Sequence, residues 1–83
     1  MKKAAFNYDI KKENIKELET MRKNFKYLRL LHNWSIEELS NISAIDQKIL
    51  IDIENGEDFD IQYFFMLCHI YHMKPHEIFY HIA

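Results

Sequence analysis

Residues 34–56 read WSIEELSNISAIDQKILIDIENG. Trp34 stands just before Ser35, and Leu39 follows five positions after the tryptophan. An apolar residue ahead of a helix N-cap that packs on one in the second turn is a hydrophobic staple, and it fixes the angle at which the chain enters the helix. Ser35 and Glu38 add a Ser-x-x-Glu capping box, so a helix is predicted to begin at Ile36. Ile45 precedes Asp46 and pairs in the same way with Leu50. That starts a second helix, which Asn55-Gly56 ends because glycine enters the left-handed conformation freely. The stretch therefore reads as two short helices joined by a tight turn.

The same device recurs downstream. Phe59 precedes Asp60 and pairs with Phe64, and Met73 precedes Lys74 and pairs with Ile78, with Pro75 at the first helical position. Upstream, Ile15, Leu18, Met21 or Arg22, Phe25, Leu28 and His32 recur at spacings of three or four. They predict one long helix or two abutting ones over residues 14–32, behind a first dozen residues that are frayed or loosely docked. One glycine and one proline in the chain leave little turn chemistry for hairpins. The expectation is an all-α protein of five or six helices. Leu39, Ile45, Leu50, Ile53, Ile61, Phe64, Phe65, Cys68, Tyr71 and Ile78 lie on the apolar stripes that would face its core.

The chain's 83 residues, 48% of them hydrophobic, suit one domain with one core. Cys68 is the single cysteine, which rules out a disulfide framework and points to a reducing, cytoplasmic setting. The opening MKKAAF runs into Asn7, Asp9, Lys11 and Lys12, so no signal peptide is predicted. The most apolar stretch, residues 61–73, is interrupted by Gln62, His69 and His72 and is too short to span a bilayer. The net charge of -2 is unevenly spread. Residues 1–34 carry nine Lys and Arg against four Asp and Glu, a net +5. Residues 35–60 carry Lys48 alone against Glu37, Glu38, Asp46, Asp52, Glu54, Glu57, Asp58 and Asp60, a net -7.

Three phrases in this order, LRLLHNWSIEELS (residues 28–40), ILIDIENG (49–56) and MKPHEIF (73–79), make residues 25–79 resemble the lambda-repressor-like (Xre or Cro) helix-turn-helix family. The resemblance implies a compact five-helix domain over residues 24–83, with residues 1–23 as a partly helical N-terminal extension. It implies that Arg29 pairs with Glu54 and locks the first family helix to the end of the third, which Gly56 terminates. In this family the second helix of the pair enters the major groove and its early residues meet base edges. Carried over by position, the reading residues are Gln47, Lys48, Ile51 and Asp52, with Ile36 where a glutamine is common and Asn55 as a phosphate contact. Ala44 replaces the glycine usual in the turn, which predicts a turn of altered shape.

The function so implied is transcriptional regulation by a homodimer on double-stranded DNA, with the N-terminal helix as the dimer contact. Gln47 suits adenine, and Lys48 suits guanine or phosphate, whereas Ile51 offers only contact with a thymine methyl and Asp52 accepts only from cytosine. DNA affinity comes mainly from Lys and Arg displacing counterions, so the -7 segment opposes it. The basic N-terminal third compensates if Lys11, Lys12, Lys16, Lys23 and Lys26 flank the groove or if an arm of Lys2 and Lys3 wraps the duplex; the alternative is that these lysines form a solvated helix face. An acidic surface with outward isoleucines at Ile49 or Ile51 and aromatics nearby also fits a different role, in which the scaffold binds the basic face of another regulator as an antirepressor or DNA mimic does.

Other chemistry finds little support. His69, His72 and His76, with His81 or Cys68, have spacings a metal could use, but Pro75 interrupts the helix among them, so exposed polar positions are expected and no metal. The sequence carries no glycine-rich phosphate loop, no serine nucleophile motif and no arranged carboxylate pair, so neither an enzyme nor a cofactor is expected.

Overall fold

Asp9 opens the first helix by accepting hydrogen bonds from the backbone N–H groups of Lys11 and Lys12. The computed structural model describes residues 8–82, and Lys2 and Lys3 lie outside them. A four-residue helix, α1 (Ile10–Glu13), breaks at Asn14 and runs on into α2 (Ile15–Leu31). There follow α3 (Ile36–Ser43), α4 (Gln47–Asn55), α5 (Ile61–Ile70) and a C-terminal 3-10 helix (Pro75–Phe79). The described residues contain no strand. The protein is all-α, and none of these helices is long and apolar enough to cross a membrane.

The local signals act where the sequence puts them. Ser35 Oγ accepts from the Glu38 N–H at 3.0 Å while the Glu38 carboxylate accepts from the Ser35 N–H at 2.8 Å, completing the capping box of α3. Trp34, Phe59 and Met73, the leading residues of three staples, lie half-buried against the core, and Ile45, that of the fourth, is wholly inside it. Asp46 and Asp60 hold the N-cap positions of α4 and α5, but their side chains make no capping bond. Those two entries rely on the staple alone. The last helix is 3-10 rather than α, with Pro75 at its start and Glu77 accepting from the Lys74 N–H at 2.8 Å.

Helix α2 is the spine. It packs on α4 and on the 3-10 helix, while α3 packs on α4 and α5. Met21, Phe25 and Leu28 from α2 meet Leu39, Ile45, Leu50, Ile53, Phe64, Leu67, Cys68, Tyr71 and Ile78 in one core. Two expected members are absent from it, since Ile61 is 63% and Phe65 52% exposed. Apart from Gln62 and His69, α5 is apolar all round, so its pattern could not select a face. Packing on α3 and on the 3-10 helix turns the buried arc toward Leu67 and away from Phe65. Asn24 stands among the buried positions of α2 as a polar clamp, donating to the carbonyls of Ile78 at 2.7 Å and Tyr80 at 2.5 Å. It ties the C-terminal segment down.

Four helix ends use the left-handed conformation, and three do so without glycine: Asn33 (φ 58°), Ala44 (φ 61°) and His72 (φ 56°) join Gly56 (φ 83°). After α4 the Gly56 N–H donates to the Ile53 carbonyl and the Glu57 N–H to the Asp52 carbonyl, a complete Schellman ending. Ala44 ends α3 in the left-handed region, a conformation that glycine enters more freely. A Cβ in this region costs about 1–2 kcal/mol, of which an unfolded alanine returns about 0.4–1 kcal/mol relative to glycine. Ala44→Gly should accordingly stabilise the protein by about 0.5–1 kcal/mol. A urea midpoint that fails to rise would show that the neighbouring backbone has already relaxed the strain.

Candidate nucleic-acid or partner interface

Helices α3 and α4 are joined by Ala44, Ile45 and Asp46, and this three-residue turn is held from inside. Ser40 Oγ donates to the Ile45 carbonyl at 2.5 Å, and the Ile45 N–H donates to Ser43 Oγ at 3.1 Å. With Ile45 buried as the plug between them, α4 is fixed relative to α3. Its other end is fixed to α2. Arg29 Nε donates to Glu54 Oε2 at 2.8 Å, Arg29 Nη2 to Glu54 Oε1 at 3.0 Å, and Arg29 Nη1 to the Trp34 carbonyl at 2.8 Å. The two side chains are 11% and 10% exposed. Hydrogen bonding to Glu54 holds the Arg29 guanidinium above its ordinary pKa, so this end of the pair stays charged. Arg22 Nη1 adds a longer bond, 3.4 Å, to the Glu54 carbonyl.

With both ends held, α4 presents Gln47, Lys48, Ile51 and Asn55 to solvent, with Ile51 43% exposed. Two expected reading positions differ from that. Ile36 is half-buried and packs on the core, so it is not a free reading side chain. Asp52 is half-buried and binds Lys48, whose Nζ lies 3.2 and 3.3 Å from its two carboxylate oxygens. The lysine is 83% exposed, so this i,i+4 pair is weak and readily exchanged for another anion. Arg22 and Asn24 escaped the sequence reading. An asparagine between Met21 and Phe25 on an apolar stripe was the available signal for the second, while nothing local marks the first.

The acidic segment is less exposed as charge than its composition implies. Of its eight carboxylates, Glu54 is taken by Arg29, Asp52 by Lys48 and Asp58 by Lys11, the last pair at 3.0 Å. Glu38 is engaged at the α3 cap. Two of these cations come from the basic N-terminal third, so the fold brings the chain's two charge blocks together. Elsewhere, burial pushes the pKa of the Cys68 thiol up, which leaves it protonated and inert. Among the described residues no three His, Cys, Asp or Glu side chains are placed to hold a metal. In comparisons with known proteins, the chain matches no family model, no curated protein and no solved structure.

Proposed function

We propose that this protein is a lambda-repressor-like helix-turn-helix regulator of transcription that binds double-stranded DNA as a homodimer, with residues 46–54 entering the major groove. The observation that carries the reading is the rigid mounting of α4. Its N-terminal end is plugged by Ile45 and its C-terminal end clamped by Arg29, while Gln47, Lys48 and Ile51 remain outward. A helix that reads base edges needs this combination, because a mobile helix would lose its register on the groove. Gln47 would meet adenine, Lys48 guanine or phosphate, Ile51 a thymine methyl and Asn55 a phosphate. The pairing of Glu54 and Asp58 with Arg29 and Lys11, cations from outside the acidic segment, lowers the electrostatic objection, and the exposed Lys12, Lys16, Lys23 and Lys26 supply counter-charge. One such module reads a half-site, which is the reason for a symmetric pair, with the N-terminal helical region as its contact.

A second reading has its own observation. Lys48 is drawn onto Asp52, and Ile51 stands exposed on the same helix, while Ile42 and Glu37 on α3 and Asp46 in the turn are exposed too, so this helix pair suits a basic protein partner. Fluorescence anisotropy of labelled duplexes, one random and one from upstream of the protein's own gene, separates the two. The regulator reading expects binding to the upstream duplex that weakens steeply with salt. Lys48→Glu should then lower affinity at least about tenfold, since it removes a base or phosphate contact and adds repulsion. Absence of binding to either duplex at low salt would leave the protein-partner reading, for which Ile51→Asp is the disruptive change.

A further inference from the structure

Behind the C-terminal end of α4 lies a cleft of about 270 Å³ that the reading face does not use. Its walls are Leu18 and Met21 from α2, Ile53 from α4, and Phe59, Phe64 and Phe79. Phe64 and Phe79 stack with ring centroids 5.6 Å apart. Interiors are normally packed without such space, and an apolar void of roughly 150 Å³ already accepts benzene. There is room here for a bicyclic ring.

The charged groups at the cleft are Lys11, Glu57 and Asp58, one cation against two carboxylates. The first of these belongs to α1, a helix of four residues that buries none of them. So few contacts give it low local stability. It lies across the mouth through Ile10 and through Lys11, whose ammonium is 3.0 Å from Asp58 in an exposed pair. Hydrogen bonding to Asp58, with Glu57 contributing from further off, holds Lys11 above its ordinary pKa, so a cation is stabilised at this point. An apolar group next to an ammonium is what the chain itself sets at the entrance, and that defines the chemistry an outside ligand would share.

We propose that the cleft is a binding site for a small aromatic amine, with its ring among Phe59, Phe64 and Phe79 and its ammonium between Glu57 and Asp58, where it displaces Lys11 and with it α1. An aromatic acid of the same size would meet two carboxylates. A peptide or a second copy of the chain would need a wider surface than this cleft offers. The inference does not depend on DNA binding, and its test does not involve DNA.

The test is a titration of the isotope-labelled full chain with tryptamine, and separately with indole-3-propionate, followed by amide chemical shifts. Tryptamine should shift the amides of Leu18, Met21, Ile53 and Phe79 saturably, with a dissociation constant on the order of 0.1–1 mM for a ligand of this size. Indole-3-propionate should bind at least about tenfold more weakly, because its charge is repelled at the rim. Leu18→Trp, which fills the cleft from its half-buried edge, should abolish the shifts while the dispersed spectrum of a folded protein is retained. Lys11→Ala, which frees both carboxylates, should tighten tryptamine binding by about two- to fivefold, the scale of an exposed ion pair. No saturation below about 10 mM, equal binding of the acid, or unchanged binding in Leu18→Trp would overturn the proposal. So would shifts of the same amides that follow protein concentration without ligand, since a second copy would then be the occupant.

Discussion

Arg29→Ala is expected to destabilise the protein by about 3–5 kcal/mol, a large part of the roughly 4–12 kcal/mol available to a chain of this length. The loss does not measure the attraction of the pair. Removing the guanidinium leaves the Glu54 carboxylate, 10% exposed, without the bidentate partner that replaced its water, and it leaves the Trp34 carbonyl without its donor. Arg29→Lys should recover only part of the loss, because an ammonium cannot reproduce the fork that bonds both Glu54 oxygens and the carbonyl together. The double replacement Arg29→Met with Glu54→Leu should lie well above Arg29→Ala in stability, since neither charge is then stranded. Urea unfolding of the four proteins checks the order. If the double variant were no more stable than Arg29→Ala, the cost would lie in the Trp34 carbonyl left without its donor instead of the stranded carboxylate. The functional consequence follows from position, because this clamp holds the end of α4, and its loss should blur any recognition by that helix before the protein unfolds.

The sequence shows this clamp only through its resemblance to a helix-turn-helix family, since nothing local connects Arg29 to Glu54. The staples and caps were legible because they are short-range. Ser35 with Glu38, Ile45 ahead of Asp46, and Gly56 after Asn55 each act within a few residues, and each helix start or stop they mark is found in the fold. The conformation of the turn at Ala44 was not legible, because composition shows only that glycine is missing. It does not show that the Ser40 and Ser43 hydroxyls, each bonded to the backbone of Ile45, hold an alanine in the left-handed region. Among the site residues, Gln47, Lys48, Ile51 and Asn55 are outward on α4, whereas Ile36 turned inward because the first turn of α3 rests on the core. The Lys48 bond to Asp52 was available from their spacing of four. The Lys11 bond to Asp58 was not, because it depends on where α2 sets α1 relative to the segment after α4.

Phe25→Ala and Phe65→Ala should differ by several kcal/mol although the sequence places both on apolar stripes. Phe25 has 1% of its surface exposed and meets Phe64 edge-on at 5.9 Å and Tyr71 at 6.3 Å. It joins the spine helix to α5 at the centre of the core. Its truncation removes a large apolar burial, two ring contacts and the volume they fill, for which about 3–5 kcal/mol is expected. Phe65 touches the edge of Phe64 at 5.2 Å but is 52% exposed, and its truncation leaves no closed cavity, so about 1 kcal/mol or less is expected. Thermal melts of the two variants decide the point. If Phe65→Ala proved as damaging as Phe25→Ala, the outer face of α5 would have to be covered in solution, and the melting temperature of the unmodified protein should then rise with its concentration, as it does for a self-associating fold. Otherwise Phe25→Ala should melt well below the parent, by about 4–8 °C for each kcal/mol lost, and Phe65→Ala should stay close to it. The expected ranking follows from the rotation of α5, which its all-round apolar sequence left undetermined and its packing on α3 and the 3-10 helix fixed.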